Sequence, residues 1–361
     1  MTKTITIGPY HPYLLEPSVV DLKVQDGRVS GATITVGFVN RAIEALMTTK
    51  TYRQDVFLAE RICGICSNIH TLAFCQAAER ILDATVPDRA KSIRTIMVEL
   101  ERLHSHFLCL GLLAHAIHEG PAYGKIMGGR EGLMGLLEQI SGNRIHYGVN
   151  TLGGVRRDVT PELAAQIHTC LTSLEALGEY AVDALGERGV LGTKISGQGV
   201  LNGPEALKLG AVGPTLRGSG IASDLRKDEG YAAYPIVQFE VVTEKDGDVR
   251  ARFLVRAREV LESIDIVRQL LDGLPAGPMV GSIEGPRPNQ TRETMERVEA
   301  PRGELVYFIR SNGTNMPERV KVRTPTFANI AFLKQVLIGS RVDDTRQIIE
   351  SIDPCLSCTD R

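Results

Sequence analysis

Hydrophobic and polar residues alternate with a period of two near the start of the chain and with a period of three to four over most of the remainder. The alternation at 19–24 and 29–36 flanks Asp26 and Gly27, a dipeptide that favours a two-residue turn. These segments therefore predict a β-hairpin. Helical periodicity predicts helices in the following segments: 41–46, 72–82, 88–117, 130–141, 161–186 and 249–272.

Strand-like patterns return at 235–243 and 303–324, and a last helix is predicted at 327–338. Gly-rich connectors occupy 192–203 and 210–220, and no Pro/Ser-rich linker separates two independent units. We therefore predict an α+β fold that is predominantly α, with small sheets inserted in a helical core. The expected organisation is one domain over 1–361, with a β region at about 4–37, a helical core at about 40–272 and a mixed β/α region at about 273–361.

The composition excludes several classes of protein. A net charge of −2 and an isoelectric point near 6.5 argue against a nucleic-acid partner. No apolar run reaches the roughly 18–20 residues of a membrane-spanning helix. The first residues lack the apolar stretch of a secretory signal, and seven cysteines in such a chain indicate reduced thiols or metal ligands in the cytoplasm.

Two Cys-x-x-Cys pairs carry the strongest chemical information, in the segments 61–66 (RICGIC) and 353–358 (DPCLSC). One such pair alone fits a redox disulfide, half of a structural zinc site or two core cysteines. If the fold brings both pairs together, four thiolates form a site for a soft metal. Zinc pairs usually lie about 15–20 residues apart, so this wide separation lowers the expectation of structural zinc without removing it. Cys75, Cys109 and Cys170 lie in apolar helical patterns and are predicted to be core thiols.

The residues around these pairs closely resemble the large, catalytic subunit of [NiFe] hydrogenases. Within that family they resemble the membrane-associated, energy-converting group 4, nearest to the CO-induced and Ech types, which is related to the 49-kDa subunit of respiratory complex I. His70 follows the first pair at the family's spacing. The other matching segments span the chain: 8–17 (GPYHPYLLEP), 101–106 (ERLHSH), 300–303 (APRG), 323–329 (RTPTFAN) and 353–361 (DPCLSCTDR).

The resemblance implies a binuclear centre of nickel and an iron that carries CO and two cyanides. Cys63 and Cys355 would be terminal nickel ligands. Cys66 and Cys358 would bridge nickel to iron, so that all four bind nickel. The resemblance also assigns His70 to hydrogen-bonding of a bridging sulfur.

Further residues around this centre are implied by the same motifs. Pro301 and Arg302 would lie over the iron ligands, and Asp353 would pair with that arginine. Pro325 and Thr326 would form the second cyanide pocket. Read from the residues alone, Arg302 and Asp353 could equally belong to Pro-containing turns.

Glu16 matches the family's proton-relay glutamate beside the terminal thiolate of Cys355. Glu44 precedes Cys63 by nineteen residues, which is the spacing of a family magnesium ligand. The family's last residue is a histidine ligand of that metal, whereas this chain ends in Arg361. Either a magnesium ion or an ion pair between Glu44 and Arg361 is therefore expected. His104, His106, His115 and His118 lie on one predicted helix and receive no assigned role.

The resemblance implies reversible reduction of protons to H2, coupled to ion translocation. No cysteines remain in a spacing for an iron–sulfur cluster. The implied partners are a small subunit with a proximal [4Fe–4S] cluster, a ferredoxin-like electron-transfer subunit and integral membrane subunits. The implied location is peripheral, at the cytoplasmic face of the cell membrane, within a membrane-bound complex. Two alternatives remain: a metal-free, complex I-like subunit of the quinone module, and a structural protein with a four-thiolate zinc site.

Overall fold

Long helices form the centre of the fold, and three small antiparallel sheets pack against them. A computed structural model describes residues 3–287 and 290–361. The helices are α1 (Ile43–Met47), α2 (Tyr52–Glu60), α3 (Ser67–Ile81), α4 (Asp88–Ala116), α5 (Gly120–Ser141), α6 (Pro161–Leu185), α7 (Gly192–Ile195), α8 (Gly203–Lys208), α9 (Pro214–Arg217), α10 (Leu225–Asp228), α11 (Val249–Asp272), α12 (Pro325–Leu337), α13 (Thr345–Ser351) and α14 (Leu356–Asp360). The strands are β1 (Lys3–Ile7), β2 (Val19–Gln25), β3 (Arg28–Thr35), β4 (Asn150–Thr151), β5 (Gly154–Val155), β6 (Glu293–Ala300), β7 (Gly303–Ser311) and β8 (Pro317–Arg323). The predominantly helical α+β class is confirmed.

Helix α4 is the central element, and it packs mainly against α5 and α11. It begins directly after Pro87, which has extended backbone angles. A proline also disfavours helical backbone in the residue that precedes it, so the helix does not start earlier. Its apolar stripe is buried as predicted, but so are most of its polar residues. A helix that is buried on every face must satisfy its polar groups internally, so α4 also carries much of the chain's buried charge.

The first sheet has the order β1-β2-β3 and contains the predicted hairpin. Asp26 and Gly27 join β2 to β3 with φ values of 52° and 75°, which is the left-handed pair that a type I′ turn requires. The third sheet has the order β6-β7-β8. In it, Ala300 pairs with Gly303, so Pro301 and Arg302 form the tip of a tight turn.

Several local predictions were wrong. The segment 235–243 forms no strand; Tyr234–Ile236 is a short 3-10 helix, and the chain then runs irregularly to α11. Its alternation reflects burial of Val237 and Phe239 in the core without a neighbouring strand to accept hydrogen bonds. Helix α5 begins ten residues before the predicted start, and Cys170 is only half-buried rather than a core thiol.

A network of buried ion pairs links α4 to α9, α10, α11 and β6. Arg226 contacts Asp224 at 2.7 Å and Glu99 at 3.2 Å, and all three side chains are almost fully excluded from water. Arg217 likewise contacts Glu259 at 2.8 Å and Glu299 at 2.7 Å. Because each charge depends on its partners for compensation, the network favours one relative placement of these elements.

We expect Arg226→Met to lower the free energy of unfolding by about 3–5 kcal/mol, because it leaves Glu99 and Asp224 buried without their cation. Urea titration of the purified protein measures this. Arg310→Met is the matched control, since the Arg310–Glu293 pair at 2.9 Å is about half exposed and should contribute no more than about 1 kcal/mol. Equal losses in the two variants would contradict this account of the network.

Candidate metal centre

Four buried cysteine sulfurs lie together, although the two pairs are 292 residues apart in sequence. The sulfurs of Cys63 and Cys355 are 3.4 Å apart, as are those of Cys66 and Cys358. Cys355 Sγ is also 3.1 Å from Cys358 Sγ. The ligand atoms of Cys63, Cys66 and Cys358 all lie within 4.8 Å of one another. The four thiols predicted as ligands therefore converge on one point.

The two Cys-x-x-Cys segments enter their helices at different cysteines but share one hydrogen bond. Cys66 immediately precedes α3, and Cys355 immediately precedes α14. In each segment the first sulfur accepts the backbone N–H of the second cysteine, at 3.4 Å. Each sulfur pair therefore lies at the start of a helix, with Cys63 and Cys66 before α3 and with Cys358 inside the first turn of α14.

Proximity makes the four thiols strongly unequal as acids. Contacts with the other three sulfurs lower the pKa of Cys63 well below its ordinary value. Burial raises the pKa of Cys358 well above the ordinary value, and its sulfur neighbours add to this shift. Four thiolates at such distances repel one another in a dry interior, so they require cationic compensation. Soft divalent metals are the cations that thiolates prefer, and the donor set therefore fits nickel, iron or zinc.

Arg302 supplies a fixed positive charge to this region. From the tip of the β6–β7 turn, its Nε donates to Asp353 O at 2.7 Å and its Nη2 donates to Asp353 Oδ1 at 2.9 Å. Burial would lower the pKa of Arg302, but Asp353 and the nearby cysteines outweigh it and raise the pKa well above the usual value. The expected contact between Arg302 and Asp353 is therefore present and holds the guanidinium beside the sulfurs.

Close backbone packing supports this turn. A Cβ atom on Gly213 would lie 2.3 Å from Gly303 Cα and 2.6 Å from Arg302 O. Gly213 also has φ of 64°, in the left-handed region. Only glycine permits the backbone of the loop before α9 to pack this closely against the β6–β7 turn.

His70 and Thr326 contact the cysteines directly. His70 Nε2 lies 3.5 Å from Cys358 Sγ, and its Nδ1 lies 2.8 Å from Tyr307 Oη. Burial lowers the pKa of His70 to about 4, so the ring is neutral, and the tautomer with hydrogen on Nε2 satisfies both contacts. Thr326 Oγ1 accepts the N–H of Cys355 at 3.0 Å, and Pro325 opens α12 beside it.

Glu16 lies beside the second cysteine pair without touching a cysteine sulfur. Its carboxylate accepts the backbone N–H of Leu356 in a very short contact, and that of Ser357 at 3.0 Å. It also accepts the Ser357 hydroxyl in a very short contact. Glu16 therefore reaches the segment between Cys355 and Cys358 from the loop that joins β1 to β2.

Glu44 and Arg361 form an ion pair, with 2.8 Å between Arg361 Nε and Glu44 Oε1. Lys321 Nζ lies 3.0 Å from the same carboxylate, which also accepts the N–H of Val322. Burial would raise the pKa of Glu44, but the Val322 N–H and the two cations outweigh it and lower the pKa. A magnesium ion requires several oxygen ligands, whereas Glu44 is surrounded by the cationic side chains of Arg361 and Lys321. This arrangement does not fit a magnesium site.

Sequence reasoning missed Arg41, which joins the two cysteine segments. Its guanidinium donates to Arg61 O at 2.7 Å and to Ile62 O at 2.8 Å, just before Cys63. It also donates to Ser357 O at 2.8 Å. No spacing or motif marks this residue, because its acceptors, which also include Val39 O at 3.3 Å, are all backbone carbonyls.

One face of α4 contributes two further residues that the motif contained but sequence reasoning did not interpret. Glu101 accepts the N–H groups of Asn68 at 2.6 Å and Ile69 at 2.9 Å, and so caps α3. Burial raises its pKa to about 8 despite these bonds. His104 Nδ1 accepts from Arg130, which leaves the hydrogen on Nε2, and that buried atom has no partner in the described part of the chain.

The remaining histidines and cysteines singled out from the sequence lie outside the centre. His106 pairs with Glu259 at 2.9 Å in the buried ionic network. His115 and His118 are exposed. Cys75 and Cys109 are buried, as predicted for core thiols.

Comparison with known proteins shows the family. The model of the respiratory-chain NADH dehydrogenase 49-kDa subunit matches residues 122–290 and 281–361, and that of nickel-dependent hydrogenases matches 41–114. The carbon monoxide-induced hydrogenase of Rhodospirillum rubrum is 37% identical over 100% of this chain and 99% of its own length. The chain belongs to this family of hydrogenase-related, energy-converting subunits.

Other members of the family come from membrane-bound complexes. The membrane-bound hydrogenase subunit alpha of Pyrococcus furiosus is 36% identical over 99% of this chain and 87% of its own length. A chain of the membrane-bound sulfane sulfur reductase, an archaeal respiratory membrane complex, superimposes with a TM-score of 0.92 at 30% identity, covering 100% of this chain and 98% of that one. In this chain, no helix among the described residues is long and apolar enough to cross a membrane.

We expect Arg41→Ala to increase the rate at which iodoacetamide alkylates the four buried cysteines about tenfold, because a loss of about 1.4 kcal/mol from the link between the segments raises the open population by that factor. Mass spectrometry of protein produced without nickel measures this rate. Arg53→Ala is the matched control, since Arg53 is exposed and forms no hydrogen bond or ion pair within the described residues. Unchanged alkylation in Arg41→Ala would contradict the proposed link.

Proposed function

We propose that this chain is the catalytic subunit of a [NiFe] hydrogenase that reduces protons to H2 reversibly. The observation that carries the proposal is the convergence of four buried thiols, each in contact with at least one other at 3.4 Å or less. A relative whose metal had been lost would not need all four sulfurs at one point. When bound, a nickel–iron centre with CO and cyanide ligands would supply the redox chemistry of H2.

The observed sulfur contacts support separate roles for the two members of each pair. Cys63 and Cys355, the expected terminal nickel ligands, contact each other. Cys66 and Cys358, the expected bridging ligands, also contact each other. In this assignment His70 donates its Nε2–H to the bridging sulfur of Cys358 and so limits the charge on that sulfur.

The residues around the sulfurs fit the diatomic ligands of the iron. Arg302 would donate to one cyanide from its fixed position against Asp353. Thr326, beside Pro325, would donate its hydroxyl hydrogen to the second, since its oxygen already accepts from Cys355 N. Pro301 fixes the turn that carries Arg302. The buried Nε2–H of His104, whose pKa is lowered by burial and also influenced by the charges of Arg302 and Cys63, is a further donor without a partner among the described residues.

Protons would pass through Glu16. The carboxylate contacts Leu356 and Ser357, which lie between Cys355 and Cys358, so it can exchange a proton with the Cys355 side of the centre. The Arg361–Glu44 pair would hold the terminal segment closed where other members use a magnesium ion.

Electrons would reach the centre from other subunits. Among the described residues, the cysteine cluster is the one group of three or more His, Cys, Asp or Glu side chains that could hold a metal ion. These residues therefore offer no separate site for an iron–sulfur cluster. We therefore propose a small subunit with a proximal [4Fe–4S] cluster, a ferredoxin-like donor and integral membrane subunits. The chain would lie peripherally at the cytoplasmic face of the membrane, and turnover would be coupled to ion translocation.

Two other functions remain as outcomes of the test. The family includes the complex I 49-kDa subunit, so a quinone-module subunit without metal is one. A four-thiolate zinc site with a structural role is the other, because four sulfurs also satisfy tetrahedral zinc.

We expect about one nickel and one iron per chain in the purified complex, as determined by elemental analysis, because the site offers four soft donors. Infrared spectroscopy should show the bands of iron-bound CO and cyanide. Zinc alone, without these bands, would establish the structural site instead. A complex without any of these metals would favour the quinone-module subunit.

We expect Glu16→Gln to retain both metals and the infrared bands but to lower H2 evolution by on the order of 10²-fold or more. The amide oxygen can still accept the two backbone N–H groups and the amide NH2 can donate to the Ser357 hydroxyl, but the amide cannot carry a proton. H2 evolution with an artificial reductant measures this. Glu187→Gln, at an exposed position, is the control and should match the unmodified enzyme. Full activity in Glu16→Gln would remove Glu16 from the proton route.

A further inference from the structure

A cavity of about 280 Å³ is lined by Glu16 and by Asp353, Pro354 and Leu356 of the second cysteine segment. The loop between β1 and β2, helices α4 and α13 and Tyr123 of α5 form the rest of its walls. Leu15, which is 65% exposed, and His115 place its mouth at the surface. The volume is many times the roughly 10–15 Å³ that one water requires, so a chain of waters fits between the mouth and Glu16.

Three carboxylates line this cavity: Glu16, Glu350 and Asp353. Asp353 belongs to the second cysteine segment and already pairs with Arg302, whereas Glu350 lies on α13. Its Oε1 accepts from Arg346 Nε at 3.1 Å. Its Oε2 is buried and has no hydrogen-bond partner in the part of the chain that the structure describes. One oxygen is therefore anchored, and the other is free to bond to water in the cavity.

We propose that Glu350 carries protons between the surface and Glu16 through this cavity. The proposal rests on the hydrogenase function proposed above and extends its proton route by one residue. Glu350 is not a catalytic residue in this scheme, because it touches neither the cysteines nor the reacting atoms.

Each transfer is balanced and needs no electrons. The Glu350 carboxylic acid gives its proton to a cavity water, whose own proton passes to the Glu16 carboxylate. Glu350 then recovers a proton from water at the mouth. The sequence runs in the opposite order when H2 is consumed.

The acid strength of Glu350 suits this task. Burial raises its pKa to about 7, although Arg346 opposes the shift. A carboxyl with a pKa near neutrality both accepts and releases protons readily under cellular conditions. Two other polar groups on the walls, Arg346 and Cys109, serve less well. A guanidinium has donors but no acceptor for a further proton, and burial raises the pKa of the Cys109 thiol well above its usual value.

The test compares Glu350→Gln with Glu350→Asp in the assembled complex. Exchange of D2 with solvent protons requires proton delivery but no external electron donor. Glu350→Gln should slow this exchange at least about tenfold with unchanged nickel, iron and infrared bands, and Glu350→Asp should recover most of the rate. Glu179→Gln, an exposed glutamate on α6, should leave the rate unchanged. A wild-type rate in Glu350→Gln would overturn the proposal.

Two further measurements cover other failures. Leu112→Phe narrows the cavity without altering a titratable group, so it should also slow the exchange of D2 with solvent protons. If both Leu112→Phe and Glu350→Gln exchange at the wild-type rate, the cavity is not the proton route. Infrared pH titration should show a carboxylic-acid band that titrates near neutrality in the unmodified complex and is absent from Glu350→Gln. If the metals are absent, the hydrogenase function fails, and this band still decides the protonation of Glu350. A missing band overturns the role of Glu350 alone.

Discussion

The mutual repulsion of four sulfur ligands in a dry interior is the constraint on which the rest of this structure depends. Two cysteine segments 292 residues apart bring their sulfurs to within 3.1–3.4 Å of a neighbour. Thiolates at such distances require positive charge close by, and burial removes the water that would otherwise supply screening. Arg302 provides a fixed part of that charge, and a soft metal centre would provide the remainder.

Several separate elements hold this arrangement in place. The β6–β7 turn carries Arg302. Asp353, two residues before Cys355, accepts hydrogen bonds from the guanidinium of Arg302 and so fixes its position. Glu101 on α4 caps the helix that follows Cys66. Arg41 ties the carbonyls of both cysteine segments together from the surface. Because each support comes from a different part of the chain, the site forms only when the fold is complete.

The same loop connects the cysteine site to solvent. Glu16 contacts the segment between Cys355 and Cys358 and lines the cavity shared with Glu350. Buried contacts link α4 to α10 and α11 and so fix these helices relative to one another. Family members that differ in chemistry can share this frame, because the frame positions residues without determining which reaction they perform.

The sequence by itself determined the fold class, the long helices α3, α4, α6 and α11, the Asp26–Gly27 hairpin and the four cysteines, because periodicity and motifs are local properties. It also indicated that Glu44 and Arg361 could form an ion pair. Only the tertiary structure decided that Arg41 joins the cysteine segments and that Glu350 shares a cavity with Glu16, and that 235–243 forms no strand. Those facts depend on which backbone carbonyl, cavity or neighbouring strand lies nearby, and residues distant in sequence set that proximity.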